Sequence, residues 1–131
     1  MKKNKLIINT DGGAVPNPGP ARIGAIIKDE QGKVIASISK SIGQTTNNQA
    51  EYQAIITALE KAISLGATEV EIRTDSELVT KQINGQYRVK EESLKQLYQR
   101  VKQLQSRFQV FTIVHIPNTE NKEAHNLASQ H

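Results

Sequence analysis

Asp11, Glu51 and Asp75 are the acidic residues that stand where the chain changes character. Asp11 closes an apolar segment, Glu51 opens a helical repeat, and Asp75 closes an alternating segment. If the two segments ending in aspartate are parallel neighbours in a sheet, both carboxylates reach the same edge, ~4.8 Å apart between strands. That edge, the carboxyl end of parallel strands, is where open α/β sheets place ligands. A helix packed across it would bring Glu51 to the same point. Three carboxylates within a few ångströms repel one another unless a cation sits between them. Mg²⁺ suits such a site because it takes hard oxygen ligands at ~2.0–2.1 Å and keeps waters and phosphate oxygens as further partners. Each residue also has a local reading. Asp11-Gly12-Gly13 fits a turn, Asn48-Gln49-Ala50-Glu51 fits a capping box with Asn48 as N-cap, and Asp75 fits the N-cap of a helix starting at Ser76. Those local readings leave the convergence unexplained.

The elements that must position these residues follow from periodicity. Lys5 to Asp11 reads as a strand ending at the turn signal Gly12-Gly13, and Val15 to Pro20 as a rigid loop that neither strand can continue. Arg22 to Asp29 and Lys33 to Ile42 are two further strands around Glu30-Gln31-Gly32, giving an antiparallel meander. Ala54, Ile55, Ala58, Leu59, Ala62 and Ile63 repeat at helical spacing, with Gly66 placed to close the helix. Glu69 to Asp75 alternates as a strand, and Leu78, Val79 and Ile83 predict a short helix ending near Gly85. Leu94, Leu97, Tyr98, Val101 and Leu104 stripe another helix. Phe108 to Ile116 is a fifth strand stopped by Pro117, and Asn121 to about Gln130 is a closing helix. The order is βββ-α-β-αα-β-α. Helical excursions between strands imply right-handed crossovers and parallel pairing, hence a five-stranded mixed α/β sheet with helices on both faces.

Composition narrows the classes. A chain of 131 residues fits a single domain over residues 1–131 with one core. The absence of cysteine excludes disulfides, thiolate metal sites and cysteine nucleophiles. Met-Lys-Lys-Asn-Lys resembles the charged start of a signal peptide, but no apolar stretch of sufficient length follows, so the expectation is a cytoplasmic protein without a membrane partner. Net charge is +4, and the stretch from Lys81 to Arg107 alone carries +5. A localised basic segment attracts polyanions, of which nucleic acid is the commonest; its bland alternative is a solvated helix face.

The motifs at the junctions resemble those of the type 1 ribonuclease H family over nearly the whole chain. Thr10-Asp11-Gly12-Gly13 followed by Asn17-Pro18-Gly19-Pro20 looks like its opening motif. Thr46-Asn47-Asn48-Gln49-Ala50-Glu51-Tyr52 and Thr74-Asp75-Ser76 match the second and third, and Asn121-Lys122-Glu123-Ala124-His125-Asn126-Leu127-Ala128 follows the last with one difference. The resemblance implies a ribonuclease H-like fold with strand order 3-2-1-4-5. It implies a monomeric endonuclease that cuts the RNA strand of RNA–DNA hybrids, leaving a 5′ phosphate and a 3′ hydroxyl. Asp11, Glu51 and Asp75 would hold two Mg²⁺ or Mn²⁺ ions against the scissile phosphate. Gly12, Gly13, Asn17, Asn47 and Asn48 would lie along the minor groove of the hybrid, and Thr46 would help hold a phosphate of the DNA strand.

The sequence departs from the family pattern in three ways. Gln86 to Lys90 is all that joins the two helices after the third motif, where some relatives carry a basic protrusion, so Lys95, Arg100 and Lys102 are candidates to supply the electrostatics. The last strand runs through Pro117 directly to Asn121, as in the short-loop branch, which leaves His115 without the role of the loop histidine. His125 stands where the family has its fourth carboxylate, an aspartate, and is carried as a catalytic and metal-site position. Imidazole near pH 7 is neutral and offers one nitrogen, where aspartate offers charge and two oxygens. The alternative function is therefore a weakened or silent module that binds nucleic acid without cutting it.

Overall fold

A computed structural model describes residues 4–129. Strands β1 (Lys5–Ala14), β2 (Gly19–Lys28) and β3 (Val34–Thr45) form the antiparallel meander. Helix α1 (Asn47–Ser64) leads to β4 (Glu69–Thr74), and α2 (Glu77–Ile83) and α3 (Glu92–Gln105) lead to β5 (Val110–His115). A 3₁₀ turn at Asn118–Glu120 precedes α4 (Lys122–Ala128). The sheet has the order β3-β2-β1-β4-β5, with β4 parallel to both β1 and β5. The expected sheet order and element order are both present.

Alternation along β1 sorts the two faces. Leu6 and Ile8 are buried in the main core with Ile55 and Leu59 of α1, Ile72 of β4 and Val101 of α3. On the opposite face, Asn9 bonds Asn121, the N-cap of α4, and Asp11 bonds His125 of α4. The sheet is thus covered on one face by α1, with α3 packed against α1 and α2 against β5, and on the other by α4. The core is aliphatic, and each fully buried Ile or Leu contributes roughly 1.5–3 kcal/mol relative to exposure. Tyr52 and Phe108 are the buried aromatic exceptions, and the Tyr52 hydroxyl donates to Gln82 Oε1 at 2.8 Å inside the protein.

Three local expectations are corrected. Gly12 and Gly13 make no turn: β1 continues to Ala14, with Gly12 opposite Ile23 and Gly13 opposite Arg22. Gly12 is needed because α1 comes so close that a Cβ there would lie 2.3 Å from the Ala50 carbonyl oxygen. The reversal falls in residues 15–18, and β2 accordingly begins at Gly19 rather than Arg22. Helix α1 is capped by Thr46, whose hydroxyl accepts from the Gln49 N–H at 3.2 Å, so Asn48 is not the cap and Glu51 lies beyond the first turn. Ser76, not Asp75, caps α2, accepting from the Val79 N–H at 3.2 Å. Helix α4 is described only to Ala128 with Ser129 as its cap; Gln130 and the charged start Met1–Lys3 lie outside the described residues.

Candidate metal centre

Parallel pairing of Thr10 with Thr74 puts Asp11 and Asp75 side by side, one residue further along each strand. Glu51 reaches them from α1, because the glycine at position 12 lets the helix lie against the strand. Its Oε1 accepts the Gly12 N–H at 2.9 Å. Each of the three residues offers a carboxylate oxygen, and these oxygens all lie within 4.8 Å of one another. Since Thr46 and Ser76 do the capping, neither Glu51 nor Asp75 is used up in helix termination.

The electrostatics are those of a site that wants a cation. Burial is the largest influence on Glu51 and pushes its carboxyl well above the ordinary value, and the charges of Asp11 and Asp75 push the same way. Asp11 is also raised, first by burial and then by Asp75, against the pull of His125 and the Gly12 amide. The donor set is hard carboxylate oxygen alone, which fits Mg²⁺ or Mn²⁺. A divalent ion would reverse the cost of bringing these charges together.

His125 approaches from the other side. Its Nδ1 lies 3.0 Å from Asp11 Oδ2, while its side chain is 66% exposed. It touches the cluster through Asp11 and is not among the three residues whose ligand atoms converge. Its helix is fixed by Asn121, which is buried and donates to the Thr10 carbonyl at 2.9 Å while accepting from Asn9 Nδ2 at 3.0 Å. This anchor adjoins Asp11 directly and was not singled out from the sequence.

The remaining candidates surround the same edge. Asn17 Oδ1 accepts the Asn47 N–H at 3.0 Å, and Asn47 Oδ1 accepts the Ala14 N–H at 2.7 Å. These bonds tie the β1–β2 loop to the start of α1. Among the described residues neither side-chain NH₂ has a protein acceptor. Thr46 and Asn48 are half-buried at the same helix start, and Thr46 is committed to the cap.

A family profile described as Reverse transcriptase-like matches residues 9–131. RNase H1 from the halophilic archaeon Halobacterium salinarum superposes with a TM-score of 0.92 at 37% identity, over 95% of this chain and 94% of that one. The chain belongs to the type 1 ribonuclease H family. The N-terminal RNase H domain of Rv2228c from Mycobacterium tuberculosis gives a TM-score of 0.92 at 39% identity, covering 95% of each chain. LC11-RNase H1, solved in complex with RNA/DNA hybrid, gives 0.89 at 45% identity, over 93% of this chain and 92% of that one. The chain spans 35% of the length of the bifunctional Mycobacterium protein and 60% of the Halobacterium ribonuclease HI.

As a ribonuclease H-like chain it is sparing of free basic charge on α3. Lys95 pairs with Glu92 at 2.8 Å and Arg100 with Glu60 at 3.0 Å. Lys102 Nζ donates to the Ile83 carbonyl at 2.6 Å and lies 5.5 Å from the Tyr98 ring centre. Arg100 and Lys102 thus hold α3 to α1 and α2, while the Lys95 pair lies within α3 itself. His115 ends β5 beside Thr74, exposed and with no side-chain hydrogen bond among the described residues.

Proposed function

We propose that this chain is a metal-dependent endoribonuclease that hydrolyses the RNA strand of RNA–DNA hybrids, with Asp11, Glu51 and Asp75 as ion ligands. The observation that carries the reading is the convergence of those carboxylates at the carboxyl end of two parallel strands, on a chain of this family. They would hold two Mg²⁺ or Mn²⁺ ions, and the chemistry such ions supply is activation of a water and stabilisation of the leaving 3′ oxygen. The products would be a 5′ phosphate and a 3′ hydroxyl.

The chain's own residues do the rest. The Gly12 amide fixes one oxygen of Glu51 and leaves the other for an ion. His125 holds Asp11 Oδ2 and sets the angle of that carboxylate. The side-chain amides of Asn17, Asn47 and Asn48, with the backbone at Gly12 and Gly13, would read the 2′-hydroxyls of the minor groove. Thr46, at the positive end of α1, adds an N-terminal helix field for a phosphate of the DNA strand.

A second reading has its own observation. Where an aspartate would face the ions, an exposed imidazole bonds Asp11 instead, which fits a weakened or silent module that binds without cutting. A cleavage panel of hybrid, duplex RNA, duplex DNA and single strands, with Mg²⁺ or Mn²⁺, separates the two. RNA-strand cleavage confined to the hybrid supports the nuclease; binding without cleavage under both ions supports the module.

A further inference from the structure

A cleft of about 480 Å³ opens beside the carboxylates, on the α4 face of the sheet. Its polar side chains away from the metal centre are Arg22, Ser41 and Ser129, and its apolar wall includes Val15, Pro20 and Ala128. Asp11 and His125 form the end nearest the metal centre. Arg22 lies on β2 between Gly13 and Ser41, so glycine on one side and serine on the other leave space around its guanidinium.

Arg22 is poorly satisfied for a half-buried arginine. Its Nη2 donates to Ser39 Oγ at 3.0 Å, and its Nε is buried with no hydrogen-bond partner among the described residues. None of the ion pairs among those residues includes it. Cations withdrawn from water are ordinarily paired. An oxyanion in the cleft supplies the missing acceptor and the missing charge together, after a small rotation of the side chain. Phosphate matches the planar fork of arginine, and the Ser41 hydroxyl adds a neutral donor. Val15, 86% exposed, gives the sugar or base of the same nucleotide an apolar surface.

We propose that this cleft is a phosphate subsite in which Arg22 receives a nucleotide phosphate next to the metal centre. The phosphate comes either from the strand being cut, flanking the scissile bond, or from a free nucleotide. The proposal rests on the reading of this chain as a nucleic-acid enzyme only for the first source.

The test measures binding without metal. Hybrid affinity is followed by fluorescence anisotropy in EDTA across a salt series, for wild type, Arg22→Gln and Ser41→Asp, with thermal melting as the check on folding. Loss of the Arg22 charge is expected to weaken binding roughly tenfold and to lower the salt slope by about one. Ser41 is exposed on β3, so the carboxylate in Ser41→Asp repels the phosphate without disturbing the core. Uridine 5′-monophosphate is titrated in parallel, with the Ser41 and Ser129 amides observed by NMR. Shifts with the nucleotide assign the cleft to free nucleotides as well. Affinity loss for hybrid alone assigns it to the strand. Folded variants with wild-type affinity and salt slope overturn the proposal, as does a wild type that binds neither ligand. If Arg22→Gln does not fold, Ser41→Asp decides alone. A protein that binds hybrid through Arg22 and never cuts it leaves this subsite standing and removes the nuclease. One that cuts hybrid while both variants bind normally removes only the subsite.

Discussion

The Gly12 amide is the one protein donor on the Glu51 carboxylate among the described residues; burial and two negative neighbours act against its ionisation. A carboxyl raised in the folded state holds its proton more tightly there than in the unfolded chain. The contribution of Glu51 to the stability of the metal-free protein is therefore fully present below the ordinary value of 4.5 and is lost as pH rises from there through the raised value. The thermal midpoint of that protein is expected to fall as pH rises above the ordinary Glu51 value, and Glu51→Gln should flatten that slope. An unchanged slope in the variant would show that Glu51 does not sense Asp11 and Asp75. At position 125, aspartate in place of histidine should raise Mg²⁺-dependent turnover and lower the ratio of Mn²⁺ to Mg²⁺ rates, because Mg²⁺ prefers oxygen. If His125→Asp and His125→Ala have the same metal preference, the imidazole acts only on Asp11. The three carboxylates were legible in the sequence because each lies near an apparent change of element, although β1 runs on past Asp11 to Ala14 and Glu51 lies beyond the first turn of α1. The arginine in the neighbouring cleft was not, since an isolated basic residue on a strand carries no periodic signal.

Helix α1 and helix α4 deliver the site to β1 by different devices. For α1 the device is absence of a side chain: a Cβ at residue 12 would strike the Ala50 carbonyl at 2.3 Å and the Glu51 nitrogen at 2.9 Å. Gly12→Ala should cost about 1–3 kcal/mol through overpacking and displace Glu51, seen as lost stability in urea with a loss of cleavage beyond what unfolding explains. A variant of wild-type stability and activity would mean that α1 can shift freely. For α4 the device is Asn121, with bonds to the Thr10 carbonyl and to Asn9. Asn121→Ala leaves a buried carbonyl without its donor and should destabilise by about 1–3 kcal/mol, while loosening His125 from Asp11. Chemical denaturation and the His125 ring signals in NMR check both effects. Element identities came through periodicity, but the boundaries did not. Gly12-Gly13 reads locally as a turn, and only the approach of α1, a contact between residues far apart in sequence, makes it strand. The start of α1 was legible and misread: Thr46 and Gln49 have capping-box spacing, yet the neighbouring Asn48 and Glu51 have it too.

Charge acts on the scale of the whole molecule. The stretch from Lys81 to Arg107 carries +5, yet Lys95 and Arg100 are paired with glutamates whereas Arg88 and Lys90 are exposed and unpaired among the described residues. Replacing Arg88 and Lys90 with Gln should lower the salt slope of hybrid binding more than replacing Lys95 and Arg100, since free cations displace more counterions. Equal slopes would show that the glutamates release their partners on binding. The mixed sheet with parallel pairing was recoverable because helical crossovers between strands leave few right-handed solutions, whereas the strand order came from the family resemblance. Pair-level electrostatics such as Arg100 with Glu60 were not, because they depend on how α1 and α3 pack. The central claim, that Asp11, Glu51 and Asp75 form a metal-dependent hybrid nuclease, is tested most directly by single-turnover cleavage of a labelled hybrid. Wild type and Asp75→Asn are compared with Mg²⁺, with Mn²⁺ and with EDTA. The expected result is RNA-strand cleavage by wild type with either ion, none in EDTA, and at least a hundredfold loss in the folded variant, roughly 2.7 kcal/mol or more of transition-state stabilisation. Cleavage by Asp75→Asn at the wild-type rate, or no cleavage by folded wild type that binds both hybrid and metal, would contradict it.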